Sequence, residues 1–449
     1  SPSKTQVSLC VKKTSMASRI ATVVFLALGS TDGFLHPQPR ALRAPTAAHA
    51  SKLEDVRNAV AATLLGVSMV FAPVLTGLPD QAFAAPAATR QNAATAAGSR
   101  VNKDADSLLR LGLPIDNPPV RKLQTQIEGV GGDIRVKRIG AAVDGCQKAR
   151  ETIKSKGSAM LSSVRATEKA KGEKLLAEID ETLSPAIAAL SVQSAQGSIQ
   201  ERAALDNAIA AQVKAAGKLS ELEELMVPEG YTVAIPDEFK NLPVLQGRAV
   251  VEMLLKKGEA GEQFNVEGEL FEKAVLRMTI DGYNSPVTGG NFLDLVNKGF
   301  YNNMRVQRSD GFVVQTGDPE GPADGYVPPG AKAPRTIPLE IMVKGDKAPM
   351  FGSTTEEDMR GAYATVLPFQ SFGALGMARS EDEDDSASSQ FFWLLFDSDL
   401  TPAGKNLLDG AYAAFGYTTE GADFLKDVKE DDVIVSAKII SGAENLKLP

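Results

Sequence analysis

The chain has 449 residues, of which 43% are hydrophobic and 23% are charged. This length exceeds one ordinary hydrophobic core, and the composition is that of a soluble globular protein with two folded units or more. The net charge is −8, and it becomes −12 without the first 84 residues, which carry eight basic and four acidic side chains. Because such a chain repels phosphate backbones, we do not expect nucleic acid as a partner.

The first part of the chain has the composition of targeting segments. Residues 1–15 precede the first methionine and are predicted to be read-through of an untranslated region. Residues 16–33 join a basic start, Arg19, to a short apolar stretch, which predicts a secretory signal peptide. Residues 34–58 begin with phenylalanine, are rich in Pro, Ala and Arg, and predict a plastid transit segment. This order resembles the bipartite leader of algae with complex plastids.

A second apolar stretch, residues 59–84, ends in an Ala-Phe-Ala sequence that a signal peptidase would cleave. A transmembrane helix is the alternative, but Pro73, Gly77 and Pro79 interrupt the run. The order of the segments predicts the thylakoid lumen as the destination. We expect a soluble mature protein that begins near Ala85.

Removal of this leader would remove residue types on which many enzyme mechanisms depend. Both histidines, His36 and His49, lie in the leader together with Cys10, which leaves Cys146 as the one cysteine. A chain without histidine and with one cysteine has no internal disulfide, no histidine-based acid–base pair and no ordinary zinc site. We therefore expect neither a metal nor a cofactor.

A helical region follows. Residues 85–100 are mainly Ala, Thr, Gly and Ser and predict a flexible leader. Residues 101–227 are rich in Ala, Leu, Lys, Glu and Gln, and they predict a bundle of about four antiparallel helices. Their leucine stripes are interpreted as core. The alternative is that the bundle covers a groove of the next domain or docks a partner.

Local signals divide this helical region. Prolines after residue 113 predict a short first helix over residues 104–111. Gly129, Gly131 and Gly132 are expected to weaken or split the second helix. Pro185 follows a serine, and this pair predicts a helix that begins with a serine cap and a proline at its first position.

The remainder of the chain reads as β-structure. Residues 228–261 combine prolines with short β-type runs and are predicted to be a linker with strands. Residues 262–449 contain apolar or alternating strands between glycine-rich turns, with one helix over residues 288–297. This pattern predicts a closed antiparallel β-barrel. The predicted fold class is therefore multidomain α + β, a helical bundle followed by a barrel.

Three segments of the barrel region carry the strongest functional signal. Residues 310–318 read Asp-Gly-Phe-Val-Val-Gln-Thr-Gly-Asp, residues 389–393 read Ser-Gln-Phe-Phe-Trp, and residues 408–410 read Leu-Asp-Gly. The second segment places Gln390 and Phe392 on one side of a strand. In this order the segments resemble the cyclophilin signature of peptidyl-prolyl isomerases. The resemblance is closest to the large thylakoid-lumen cyclophilins with an N-terminal helical domain.

The chemistry of that family suits a site without histidine. Rotation about an X–Pro bond faces a barrier of about 18–20 kcal/mol, because the amide C–N bond has partial double-bond character. A pocket for the proline ring and a rigid donor directed at the prolyl nitrogen can lower this barrier, and a guanidinium is such a donor. The resemblance implies Arg308 as the catalytic donor. It implies these substrate-binding residues: Phe312, Val313, Gln315, Ala378, Arg379, Gln390, Phe392, Leu407, Leu408 and Tyr412.

The arginine segment departs from the family pattern. The usual Phe-His-Arg triplet reads Val306-Gln307-Arg308, and the link from Arg308 to Gly311 is one residue shorter than usual. A displaced guanidinium would be less effective in catalysis. The alternative for this arginine is a surface ion pair. A second departure is the loop over residues 397–406, which is longer than usual.

The pocket positions depart as well. Val313 stands where many members have Met, Arg379 where Asn is usual, Leu407 where an indole is common, and Tyr412 where a pocket His is usual. An acidic run, residues 381–385, is expected to lie on a loop beside the groove. It is interpreted as a solvated loop, and the alternatives are selection of basic peptides or pairing with the bundle.

These features support two interpretations of the function. The first interpretation is a thylakoid-lumen peptidyl-prolyl isomerase that acts on X–Pro segments. The resemblance implies a role in photosystem II assembly or maintenance, with lumenal loops of the core proteins as clients. The alternative is a weak or inactive enzyme that serves as a peptide-binding assembly chaperone. A structural subunit of a photosystem is ranked last. Contact between the bundle and the barrel is left open.

Overall fold

The computed structural model describes residues 101–191, 197–396 and 406–449. The predicted targeting segments and the predicted flexible leader lie outside these ranges. The α-helices are α1 (Ala105–Gly112), α2 (Pro118–Arg135), α3 (Ile139–Ser162), α4 (Lys169–Ser191), α5 (Ile199–Glu224) and α6 (Pro286–Asn297). None of the helices in these ranges combines the length and the apolar character that crossing a membrane requires.

The strands all follow the first five helices. They are β1 (Val244–Leu245), β2 (Arg248–Lys256), β3 (Phe264–Val266), β4 (Glu269–Phe271), β5 (Lys273–Asp281), β6 (Met304–Ser309), β7 (Val313–Thr316), β8 (Glu340–Ile341), β9 (Met350–Phe351), β10 (Ala374–Met377), β11 (Phe391–Leu394), β12 (Ala414–Glu420), β13 (Val433–Ser441) and β14 (Leu446–Lys447). This order of helices and strands confirms the predicted fold class.

Helices α2 to α5 form a four-helix bundle. Each helix packs against the next one along the chain, and α2 also packs against α5. Fully buried leucines and isoleucines on these helices form one core. The short helix α1 precedes the bundle, and the Asp104 carboxylate accepts the Ser107 N–H and caps it. Such a cap satisfies one of the free donors at a helix start.

Two local expectations within the bundle, a split of the second helix at its glycines and a helix start at Pro185, are wrong. The glycines do not split α2, which runs from Pro118 to Arg135. A side chain at Gly131 would meet the Gln212 amide of α5 at 2.9 Å, so this glycine permits close helix packing. Pro185 does not begin a helix but lies inside α4. Its neighbours Leu183 and Ala186 are buried in the core, and this packing outweighs the local cost of the proline.

Eight strands close into an antiparallel barrel in the order β10-β11-β7-β6-β13-β2-β5-β12. Alternate residues of β2, including Val251 and Met253, point into its core. Strand β2 lies within the predicted linker 228–261, so the barrel already begins at Arg248 rather than at residue 262. Helix α6 supplies Phe292, which packs against Phe391 at a ring distance of 5.0 Å. The pairs β1–β14, β3–β4 and β8–β9 lie outside the barrel.

The helical region contacts the barrel directly. Leu108 and Leu109 of α1 join an apolar cluster with barrel residues that include Phe369 and Tyr417. The Asn284 amide donates to the carbonyl of Gly112 at 2.8 Å. We call the polar part of this contact, formed around Arg248, the junction.

Charged groups dominate the junction. The Arg248 guanidinium pairs with Asp281 of β5 and with Glu224 of α5, both at 2.7 Å. It also donates to the carbonyl of Leu109. Nearby, Glu223 is fully buried, its carboxylate lies 3.5 Å from the Arg121 guanidinium, and neither of its oxygens accepts a hydrogen bond. Burial raises the pKa of Glu223 to about 8.

Candidate functional site

The site is built on a row of side chains across three neighbouring barrel strands. Arg308 of β6 lies directly opposite Gln315 of β7, and Gln315 lies opposite Phe392 of β11. Directly opposed residues of antiparallel strands point to the same face of a sheet. The three side chains therefore share one face. The neighbouring Phe391 packs in the barrel interior, so this face is the outer one.

A β-bulge determines that Arg308 belongs to this row. Val306 pairs with Thr316, whereas Arg308 pairs with Gln315, so Gln307 is an extra residue in β6. In a regular ladder Gln307 would lie opposite Gln315, and Arg308 would point to the other face. The bulge thus compensates for the shorter link between Arg308 and Gly311.

An apolar pocket surrounds Phe392. This ring is 5% exposed and stacks on Phe369 at 5.8 Å. Tyr412 packs edge-on against Phe392, also at 5.8 Å. Val313 is buried in the same cluster, with Ala378 and Leu408 packed against it. The structure therefore brings these five predicted pocket residues together.

Gly376 of β10 makes room for the Phe392 ring. The two residues are opposite each other on adjacent strands. A side chain at Gly376 would meet the Phe392 ring at 2.2 Å and the Phe369 ring at 2.8 Å. The absent side chain at this position therefore lets the two rings stack across β10.

The mouth of the pocket is partly polar. Phe312 is 43% exposed and stacks on Phe396 at 5.7 Å. The Gln315 amide donates to Gln390 at 3.0 Å, and Gln390 donates to the carbonyl of Asp324. These amides are held in place beside the apolar rings.

Leu407 does not join the pocket in the described residues. Its side chain is 81% exposed. It follows residues 397–405, which lie outside the described ranges and form most of the longer loop predicted from the sequence.

The Arg308 guanidinium is held by Asp310 of the hairpin loop. Its Nε donates to the Asp310 carboxylate at 2.6 Å, and its Nη2 forms an ion pair with the same oxygen. The other Asp310 oxygen accepts the N–H groups of Phe312 and Val313. Gly311 has a φ of 82°, the left-handed conformation that this tight loop requires.

Arg308 lies within electrostatic reach of the pocket. Burial raises the pKa of Tyr412, and the positive charges of Arg379 and Arg308 oppose this rise. Because Tyr412 packs on Phe392, the charge of Arg308 acts on the wall of the apolar pocket.

Arg379 is bound to its own surroundings. Its guanidinium donates to the carbonyl of Ala411 at 3.0 Å, pairs with Asp384 at 3.1 Å and lies 5.1 Å from the centre of the Tyr412 ring. Asp384 belongs to the acidic run, and its carboxyl forms a hydrogen bond with Glu357. Burial is the main cause of the raised pKa of Asp384, and the hydrogen bond with Glu357 raises this pKa further. The acidic run therefore packs beside the groove through Arg379.

A buried carboxyl lies behind the pocket. Glu340 accepts the N–H groups of Val287 and Thr288 at the start of α6. It lines a small cavity together with Phe369 and Tyr412. Burial raises the pKa of Glu340 to about 7.

Sequence reasoning missed Phe369, Gly376 and the pairing role of Asp310. A glycine inside an apolar strand is a signal for close approach of another group, and it marks Gly376. Phe369 lies outside any strand and offers no such signal. Within the described ranges, no group of three His, Cys, Asp or Glu residues is arranged to hold a metal ion.

The described residues combine an eight-stranded antiparallel barrel with an outward apolar pocket and an arginine in the neighbouring row of side chains. Residues 268–442 match the family model described as cyclophilin-type peptidyl-prolyl cis-trans isomerase, and residues 104–227 match the model of a CYP38-like, PsbQ-like domain. The chain belongs to the cyclophilin-type peptidyl-prolyl cis-trans isomerases, and this membership confirms the predicted enzyme class.

Three relatives extend over most of the chain. The chloroplastic peptidyl-prolyl isomerase CYP38 of Arabidopsis thaliana is 41% identical over 351 residues, 77% of this chain and 76% of the relative. The putative thylakoid lumen isomerase sll0408 of Synechocystis is also 41% identical, over 76% of this chain and 84% of the relative. Arabidopsis CYP37 is 29% identical over 86% of this chain and 80% of its own length.

Proposed function

We propose that this protein isomerises X–Pro bonds of client proteins in the thylakoid lumen. The names of two relatives, one chloroplastic and one from the thylakoid lumen, support this location. The order of targeting segments in residues 16–84 supports it independently. Photosystem II core proteins are the proposed clients, as the resemblance to large lumenal cyclophilins implies.

The observation that carries the proposal is the bulge at Gln307. It aligns Arg308 with Gln315 and Phe392 on the outer face of the barrel. The proline ring would occupy the pocket at Phe392, and the amides of Gln315 and Gln390 would orient the peptide. The guanidinium would then donate to the prolyl nitrogen, which becomes a better acceptor as conjugation is lost. No titrating group takes part.

Substitution of the donor tests this mechanism. Arg308→Ala is expected to lower kcat/KM for a proline-containing tetrapeptide about 100-fold, the effect of removing one well-placed donor from a site. The rate is measured by exchange NMR, and circular dichroism checks the fold. Arg305→Ala is the matched control, because Arg305 lies on the same strand and is 61% exposed. An unchanged rate in Arg308→Ala would remove Arg308 from the mechanism.

A peptide-binding chaperone is the second candidate, and the Asp310 contact favours it. Asp310 already occupies two donors of the guanidinium, and Arg379 is bound to its own loop. Peptides from lumenal loops of photosystem II core proteins, with proline or with alanine in its place, distinguish the two functions. Proline-dependent binding without exchange enhancement supports the chaperone. Binding together with fast exchange supports the enzyme.

A further inference from the structure

A second groove is lined by residues other than those of the isomerase site. It has a volume of about 500 Å³ and runs between residues 231–235, which follow the bundle, and the C-terminal strand β14. None of the residues that line it belongs to the predicted catalytic or substrate-binding set. Its walls include the apolar residues Val233, Leu242, Leu245 and Leu448.

One wall of this groove is residues 232–235, a segment outside any helix, turn or paired strand. Side-chain exposure alternates along it, with Val233 and Ile235 half-buried and Thr232 and Ala234 exposed. Tyr231 donates its N–H to the carbonyl of Pro228. From residue 232 to residue 235, the backbone N–H and C=O groups have no hydrogen-bond partner among the described residues. Four residues in an extended conformation span about 13 Å.

An unpaired edge beside an apolar groove is the arrangement that strand addition uses. A bound strand would take up backbone donors and acceptors, and its alternate side chains would enter the groove. Leu448 is 56% exposed at the groove and would be covered by such a strand. The edge and the walls together therefore fit an extended apolar peptide.

The charge at the groove restricts the peptide further. Lys240 and Lys447 are the charged side chains that line it, beside the terminal residue Pro449. Lys240 pairs with the exposed Asp237. The Lys447 ammonium donates to the carbonyl of Glu444 and has no carboxylate partner in the described part of the chain. A carboxylate beside the apolar segment would meet this positive charge.

We propose that this groove binds an extended, apolar, acid-flanked segment of a partner protein by β-strand addition to residues 232–235. The site recognises backbone and apolar side chains and does not require proline. It gives the protein a second place to hold a client or an assembly partner while the isomerase groove remains free.

Backbone methylation provides the sharpest test. The probe is the proline-free peptide Asp-Val-Thr-Val-Glu amide with fluorescein on its N-terminus, titrated into the full chain and followed by fluorescence anisotropy. Two methylated versions are compared with this parent. One carries N-methyl groups on the second and fourth residues, and the other carries one on the third residue. Successive residues of a strand point their N–H groups to opposite edges, so one version is expected to bind about tenfold more weakly and the other like the parent. Equal binding of all three peptides, or no saturable binding, would overturn the proposal.

Protein variants locate the site. Val233→Asp and Lys447→Glu are expected to weaken peptide binding about tenfold. Lys438→Glu is the control, because Lys438 is an exposed lysine on β13 that does not line the groove. Isomerase turnover is expected to stay unchanged in all three variants, so failure here is distinct from failure of the proposed function. Displacement of the probe by a proline tetrapeptide would place it in the isomerase groove and contradict the inference. So would peptide-independent self-association that Val233→Asp abolishes.

Discussion

The junction and the isomerase groove each contain an arginine whose side chain is 13% exposed, but the two are bound differently. At the junction, Arg248 has two carboxylates and a carbonyl as acceptors. In the groove, Arg308 has the carboxylate of Asp310, and its Nη1 is without a hydrogen-bond partner in the part of the chain that the structure describes. The two arginines are therefore equally buried, but they differ in role. Arg248 holds the junction together, whereas Arg308 retains an N–H group that can donate to a bound peptide.

The largest expected effect is the loss of the junction arginine. Arg248→Ala would leave Asp281, which is fully buried, without its cation. Removal of one partner of a buried ion pair costs about 3–5 kcal/mol. Urea unfolding of the full chain measures the loss, and Arg305→Ala, which breaks an exposed pair, is expected to cost less than about 1 kcal/mol. Similar small losses in both variants would contradict the structural role of Arg248.

Both regions contain a buried glutamate, and the pKa values of the two glutamates differ. Burial raises the pKa of Glu223 at the junction to about 8 and that of Glu340 behind the groove to about 7, from an ordinary value of 4.5. Above 4.5 the unfolded chain releases a proton that the folded chain retains. Stability therefore falls as pH rises, by up to about 1.4 kcal/mol per pH unit for each group, until the folded pKa is reached.

Substitution by glutamine assigns each part of this pH profile. We expect Glu340→Gln to remove the part of the fall that ends near pH 7, and Glu223→Gln to remove the part that extends toward pH 8. Urea unfolding at intervals between about pH 5 and pH 9, a range that includes the raised pKa values of both groups, supplies the profile. A Glu223→Gln profile parallel to the wild type would show that this carboxyl is ionised when folded.

The packing of the groove is tested at Gly376. The added methyl group of Gly376→Ala would collide with the Phe392 ring, so we expect a loss of about 1–3 kcal/mol in stability and a higher KM for the proline tetrapeptide. Gly129→Ala is the control, because nothing lies within 4 Å of that position, and it is expected to stabilise α2 by up to about 1 kcal/mol. An unchanged KM in Gly376→Ala would mean that the proline ring does not rest on Phe392.

The smallest expected effect concerns the restraint on Arg308. Asp310→Asn keeps an oxygen for the N–H groups of Phe312 and Val313 but removes the negative charge. A partly exposed ion pair contributes less than about 1 kcal/mol, so kcat/KM is expected to rise by no more than about fivefold. The rise is measured by the exchange assay used for Arg308→Ala. A decrease would indicate that Asp310 positions the guanidinium for catalysis instead of competing for it.

Local patterns predicted much of the molecule. The alternation of Phe391 and Phe392 between the two faces of β11 follows from strand geometry, and the short helix predicted over residues 104–111 is present as α1, Ala105–Gly112. Local patterns gave wrong predictions where contacts with residues distant in sequence determine the structure. Pro185 remains helical because its neighbours are buried by other helices, and β2 belongs to the barrel because β5 and β13 pair with it.

The groove shows the same division between local and distant causes. Its residues were predicted from a resemblance. The face of the sheet to which Arg308 points depends, however, on the hydrogen-bond register between β6 and β7, which no local sequence pattern indicates. The need for glycine at 376 depends on a ring from another strand. The packing of Leu108 and Leu109 on the barrel could not be predicted, since an apolar helix face does not identify its partner.

The bulge at Gln307 also affects how family members are compared. An alignment that counts back from Phe312 without a gap would assign glutamine to the arginine column, and a survey based on that column would classify the protein as lacking its key side chain. Superposition of the strands, in place of column counting, is the safer criterion for such members.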